Sequence, residues 1–294
     1  MANKLTAPCR LFGILARAAP VAVLFRRGPS HWVQLIKWNT KTDVFEHGQW
    51  FKGRIYERRC DLSPDGSMLI YFASKINRKT VKDLEYTYAW TAISRPPWVT
   101  ALALWPKGDC WHGGGLFEDE KTVWLNHKPE VAEPHSKHQP RGLKIIPNPH
   151  ANGEDQSIYS KRLLRDKWML TQERNFNLGA GGGWRTEHAE IWSKADASGQ
   201  FILNMNLDKI DFSAYGGPYL LRFDVIRKQD GHQMSIGRAT WADWDHRGRL
   251  VIARAGKLLL GSVGKNSKVS FVELADFNSA KPVEVQSPTW AQEW

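Results

Sequence analysis

Three cysteines, Cys9, Cys60 and Cys110, are all that the 294 residues contain. So small and odd a number excludes a disulfide framework and makes a reducing compartment the expectation. Long apolar runs are missing as well. The nearest, Leu11 to Phe25, is interrupted by Arg17 and closed by Arg26 and Arg27. It is shorter than the roughly 18 residues needed to span a bilayer, and no small-residue cleavage site follows a clean apolar stretch. Cys9 follows Pro8 with no apolar stretch before it, so lipid attachment is not expected there. These absences point to a cytoplasmic protein with no membrane partner, in which residues 18–25 form a buried strand.

Helical signals are equally scarce. No window of about a dozen residues keeps a 3.6-residue apolar period with caps, whereas alternation of period two is common. Trp32 to Trp38, Met68 to Ala73, Trp98 to Trp105, Phe201 to Leu207 and Tyr219 to Ile226 all show it. Gly, Pro, Asn and Asp separate these runs, as in a chain of many short strands. The signatures of common catalytic machinery are absent too. The chain has neither Gly-x-Ser-x-Gly nor His-Glu-x-x-His, and Gly113-Gly-Gly115 lacks the Gly-Lys-Ser/Thr of a phosphate-binding loop.

What the chain does contain is a recurring polar turn followed by an apolar strand. It reads Asp61-Leu-Ser-Pro-Asp-Gly66, then Asp196-Ala-Ser-Gly199, then Asp245-His-Arg-Gly248, with a degenerate copy at Trp105-Pro-Lys-Gly108. The glycines are spaced by 42, 91 and 49 residues. The middle interval is close to two periods of about 45, the length of one four-stranded propeller blade. With that period fixed, Gly28 marks an earlier turn and the missing one falls near Asn152-Gly153. The Ser-Pro-Asp-Gly turn and its period resemble WD40-type and TolB-type β-propellers over most of residues 20–265. The regular Gly-His and terminal Trp-Asp pairs of a well-formed WD40 repeat are not present. Residues Gly48 to Gly66 are also similar to a group of uncharacterised bacterial proteins, a likeness that implies no activity.

The expected fold is therefore all-β: a propeller-like ring of five or six four-stranded antiparallel blades in a single domain over residues 1–294. A lone blade cannot bury both faces, but a ring buries each against its neighbours and protects the sheet edges. Two stretches break the rhythm and are expected as long loops, 128–157 and 175–184.

Fifteen tryptophans, about one residue in twenty, suit gaps between packed sheets and also suit interface anchors. The net charge of +11 is uneven: residues 1–110 carry 17 Lys and Arg against 8 Asp and Glu. That asymmetry fits a positive face turned towards an acidic partner, and equally an ordinary basic protein.

Four constellations could carry function. The first is Trp50, Lys52, Arg54, Tyr56, Arg58 and Arg59. If 54–60 is a strand, Arg54, Tyr56 and Arg58 share a face suited to clamping phosphates and stacking on bases, or simply to a stacked sheet surface. The second runs from Arg95 and Trp98 through Trp105 and Trp111 to the triple glycine, which allows close backbone approach to a ligand or makes a flexible turn. The third is histidine-based. Cys110, His112 and His127 lack the spacing of a zinc set, and His135, His138 and His150 sit in a polar loop, so neither a metal nor a cofactor is expected. The fourth is Asp243, Asp245 and His246, a carboxylate pair with an imidazole that suits acid/base hydrolysis, or aspartates that bond turn amides.

Three functions follow in order. The first is a non-catalytic scaffold that binds another macromolecule, a protein, through loops at one rim. The second is binding of nucleic acid or another polyanion through the basic N-terminal blades. The third is a carboxylate hydrolase.

Overall fold

The computed structural model describes residues 7–28, 30–152, 156–174, 176–178, 184–186, 189–210, 219–264 and 268–294. The fold is all-β, built of meandering antiparallel sheets of the kind found in propeller blades. The first sheet has the order β1 (Arg10–Leu15), β2 (Val21–Arg27), β3 (Trp32–Asn39), β4 (Val44–Lys52). The apolar run Leu11 to Phe25 thus supplies two strands, and Ala22 to Phe25 are at most 2% exposed.

The second sheet contains β5 (Arg54–Ile55), β6 (Asp61–Leu62), β7 (Leu69–Ser74), β8 (Ala89–Ser94) and β9 (Ala103–Pro106). β5 and β6 both pair with β7, as two pieces of one strand broken by a 3-10 turn at Glu57–Arg59. The continuous strand expected over 54–60 does not form.

A third sheet is smaller: β10 (Gly115–Phe117), β11 (Thr122–Leu125) and β12 (Lys144–Pro147), with β12 parallel to β11. Residues 128–157, expected as one loop, therefore include a strand and the start of helix α1 (Gln156–Arg165). The helix has no apolar stripe to announce it. Its buried face is Ile158, Tyr159, Arg162 and Leu163, and the arginine breaks the pattern that hydropathy would detect.

The fourth sheet begins with β13 (Met169–Gln172). A separate hairpin follows, β14 (Phe176–Leu178) with β15 (Trp184–Thr186). Then β16 (Glu190–Ala195), β17 (Phe201–Ile210), β18 (Tyr219–Arg227) and β19 (Gln233–Arg238) complete the order β13-β16-β17-β18-β19. The loop expected at 175–184 falls mostly on 175 and 179–183, outside the described residues, as does Gly153. The last sheet is the meander β20 (Trp241–Trp244), β21 (Leu250–Arg254), β22 (Lys257–Val263), β23 (Val269–Asp276).

The recurring turn is a real structural repeat. Gly66, Gly199 and Gly248 have φ of 72°, 70° and 72°, a region that glycine occupies without the Cβ penalty. Each joins two paired strands (β6–β7, β16–β17, β20–β21). In each, the residue three before the glycine anchors the turn: Ser63 Oγ, Asp196 Oδ1 and Asp245 Oδ1 accept the amides of Met68, Phe201 and Arg249. Gly108 shares the angle, 73°, but follows β9 without closing a hairpin. Gly28 lies one turn out of phase, between β2 and β3, where its amide donates to Trp32 O.

The chain forms two compact units, one of residues 13–162 and 280–294, the other of 1–12 and 163–279. In the first, Ile70, Ile93, Ala103 and Trp105 of the second sheet pack against Phe117, Val123 and Leu125 of the third, all fully buried. In the other, the fourth and last sheets are joined by Lys194 Nζ, 2.7 Å from Asp243 Oδ1, and by Trp244 Nε1 donating to Lys194 O at 3.2 Å.

Candidate functional site

The register of the second sheet decides which sequence candidates meet. Arg54 pairs with Ser74, Ser74 with Ala89 and Trp90 with Pro106, so these residues share one end. Loops 75–88 and 107–114 leave from that end. β4 also arrives there, with Lys52 opposite Trp32. Lys52 and Arg54 are both exposed, and each lies over an aromatic face: Lys52 Nζ is 5.7 Å from the Trp32 ring and the Arg54 guanidinium 4.3 Å from Tyr56. Phe51 meets Trp90 edge-on at 5.9 Å beside them. Trp111 stands 65% exposed on the 107–114 loop, its amide bonded to Asp109 Oδ1. Neither Lys52 nor Arg54 has a carboxylate partner among the described residues.

The rest of the sequence-derived set lies elsewhere. Arg95 and Trp98 sit beyond Ser94, at the opposite end of β8, where Arg95 Nε donates to Glu293 O. Trp105 is fully buried in the core, and Trp50 is buried under the Arg26 guanidinium at 4.9 Å. Arg58 and Arg59 are buried as well, at 7% and 4% exposure. The 3-10 turn after Tyr56 directs both inward. Arg59 donates to Cys110 O at 2.9 Å and lies over Tyr56 and Phe72, while Arg58 stacks on Tyr159 of α1. Arg162 reaches the same turn from α1 and donates to the carbonyls of Glu57 and Cys60. A buried guanidinium is tolerable when carbonyls and aromatic faces take its protons and charge.

The triple glycine is a packing device, and the flexible-turn reading does not hold. A Cβ on Gly113 would overlap the Phe72 ring, and one on Gly114 would overlap Arg59 O. On Gly115 it would meet Trp124 O at 2.6 Å. The backbone that approaches so closely belongs to the protein itself.

Beside these glycines lies a buried polar network. Thr91 Oγ1 accepts the Gly114 amide at 2.8 Å, which leaves its own proton for His127 Nε2, also at 2.8 Å. His127 Nδ1 therefore carries the ring proton and donates to Val131 O at 3.1 Å. Burial, with the Lys107 and His112 charges behind it, pushes His127 down to about 4. The His112 ring lies 6.2 Å away, its own value lowered by burial and by Lys107. His135 stacks on Tyr86 at 4.2 Å and faces Glu85, and His138 Nδ1 donates to Ala101 O. Among the described residues, no group of three or more His, Cys, Asp or Glu is placed to hold a metal ion.

Each of the two carboxylates proposed for hydrolysis has its own cation. Asp243 pairs with Lys194, and Asp245 takes Arg249 Nε at 2.7 Å besides the turn amides of Arg247 and Arg249. Asp245 holds the same place in its turn as Ser63 and Asp196 do in theirs. His246 is exposed within that turn.

Sequence reasoning missed Trp32, Phe51 and Trp90 as neighbours of Lys52 and Arg54. Only the β3–β4 register and the sheet-to-sheet step at Gly53 bring them together.

No family model matches the sequence. No curated protein matches it. Among solved structures, it is similar to hydrazine synthase of Kuenenia stuttgartiensis, at 10% identity over 89% of this chain and 78% of that one, TM-score 0.29. It is similar to the periplasmic gluconolactonase of Pseudomonas aeruginosa, at 10% identity over 96% and 89%, TM-score 0.30. The β-propeller domain of the trilobed protease from Pyrococcus furiosus gives 10% identity over 95% and 86%, TM-score 0.28. Likenesses this distant say nothing of activity.

Proposed function

We propose that this protein is a non-catalytic scaffold of propeller-type blades that binds an acidic macromolecule, a protein, through the loop end of its second sheet. The observation that carries the reading is the exposed pair Lys52 and Arg54, each over an aromatic face and without a carboxylate partner among the described residues. Cations held on aromatic planes stay oriented while keeping their charge for a partner, and Trp and Arg are the commonest anchors of interfaces. A hydrolase has less support, because Asp243 and Asp245 are each held by a cation.

The exposed Trp111 indole beside this end favours a second reading, single-stranded nucleic acid stacked on Trp111 and tracked by the cations. The two readings separate in one titration. Polyglutamate and a single-stranded oligonucleotide are titrated against the wild type and against Lys52→Ala/Arg54→Ala across a salt series. The double variant should lose about 1.4 from the log–log salt slope for the oligonucleotide, at about 0.7 per contact, and weaken polyglutamate binding in parallel. Trp111→Ala should cost about tenfold on the oligonucleotide alone if bases stack there. Unchanged slopes in the double variant would remove Lys52 and Arg54 from the interface.

A further inference from the structure

We propose that the loop of residues 75–84 docks this protein on an anionic membrane surface. The inference goes beyond the acidic-partner reading and uses a different set of residues. The segment Lys75-Ile-Asn-Arg78-Lys79-Thr-Val-Lys82-Asp-Leu84 carries four cations against one carboxylate. Lys75, Arg78, Lys79 and Lys82 are all exposed, and none has a carboxylate partner among the described residues. Between them stand three apolar side chains that the fold leaves in water: Ile76 at 67%, Val81 at 54% and Leu84 at 92% exposure. A single exposed aliphatic residue needs no explanation, but three within nine residues, interleaved with unpaired cations, form a pattern.

The loop holds its shape without using those side chains. Its base is closed by the Lys75 amide donating to Tyr88 O. Asn77 Oδ1 accepts the amides of Lys79 and Thr80, and Thr80 Oγ1 donates to Lys75 O. Asp83 Oδ1 is taken up by the amides of Glu85 and Tyr86. Beyond it, Glu85 accepts from Lys137 Nζ at 3.0 Å and Tyr86 stacks on His135, which fastens the loop to the neighbouring segment 135–138. The nearby acids are thus occupied, and the loop's positive charge faces outward uncompensated.

Charge complementarity and the form of the apolar residues select the occupant. Leu84 projects almost completely from the loop, so a protein partner would need an apolar pocket to receive it, ringed by carboxylates for the cations. The headgroup and acyl boundary of an anionic bilayer accepts such a side chain without one, while phosphates take the surrounding Lys and Arg. The absence of a long apolar run concerns spanning a membrane; lying on one needs only exposed aliphatic tips and cations. No helix among the described residues is long and apolar enough to cross a membrane.

Co-sedimentation of the full chain with phosphatidylcholine vesicles, with and without phosphatidylserine, tests the inference. Wild-type protein should sediment with the phosphatidylserine vesicles and stay in solution with phosphatidylcholine alone. Ile76→Ser/Val81→Ser/Leu84→Ser should reduce the partition at least tenfold, and each of Lys75→Ala, Arg78→Ala, Lys79→Ala and Lys82→Ala about fivefold. All seven positions are exposed, so unchanged melting curves confirm that the variants fold. Wild-type protein that ignores phosphatidylserine vesicles overturns the inference, as does a triple serine variant that binds them undiminished. Polyglutamate binding without vesicle binding would leave the acidic-partner reading standing and this one fallen. Vesicle binding without polyglutamate binding would do the reverse.

Discussion

Gly114→Ala should leave a protein that melts at least about 8 °C below the wild type, or that fails to accumulate. Two costs combine at this position. The backbone has φ of +81°, which an L side chain rarely adopts, and an added Cβ would overlap Arg59 O while lying 2.8 Å from Arg59 Cβ. The obstacle is main chain in a buried turn, so it cannot swing aside as the end of a flexible side chain would. Strain and overlap together amount to about 4 kcal/mol or more, at about 2–4 °C per kcal/mol for a chain of this size. Displacing Gly114 would also pull its amide from Thr91 Oγ1 and its carbonyl from the Asn126 amide. Gly142→Ala is the control. Gly142 has φ of +66° with nothing within 4 Å of the added Cβ, so it isolates the backbone cost, about 1 kcal/mol. Equal melting temperatures for the two variants would show that the close approach to Arg59 is not structurally demanding.

The contrast between those two glycines also explains what the sequence revealed and what it concealed. Gly66, Gly199 and Gly248 were legible because the chemistry of their turns is local: a side-chain oxygen three residues before the glycine takes an amide four or five residues ahead of it. Asp245 was legible as a turn anchor for the same reason, and its apparent partnership with Asp243 was an accident of proximity in sequence. Gly113 to Gly115 announced that something comes close but not what, since Phe72 and Arg59 lie far upstream in the sequence. The burial of Arg58 and Arg59 was hidden likewise, because it depends on Cys110, Tyr159 and Arg162. β12 escaped notice because a parallel edge strand of four residues has no turn to mark it. At the candidate site, Lys52 and Arg54 could be named from the sequence, but their aromatic platform and the exposed tips at 76, 81 and 84 required the register and the fold.

Acid should destabilise the protein through His127, and His127→Gln should lose that part of the effect. The imidazole is fully buried, and burial lowers it from 6.5 to about 4. In the unfolded chain it takes up a proton as pH falls through 6.5; in the folded protein it resists until about 4. Between those values the unfolded state binds the extra proton, so stability present above pH 6.5 is lost on descent, up to about 3 kcal/mol at about 1.4 kcal/mol per unit. The hydrogen bonds point the same way. Protonated Nε2 would face Thr91 Oγ1, which already accepts the Gly114 amide and would have to turn its own proton elsewhere. His112, lowered by burial at 6.2 Å, adds a contribution of the same sign, so the wild-type slope exceeds that of one group. Urea unfolding between pH 7 and 4.5 measures this directly. His127→Gln should be less stable than the wild type at pH 7, since its amide meets Thr91 and Val131 less well. Its slope against pH should fall by about one proton, so the two stability curves converge towards acid. Parallel curves would place the acid sensitivity outside the Thr91–His127 pair.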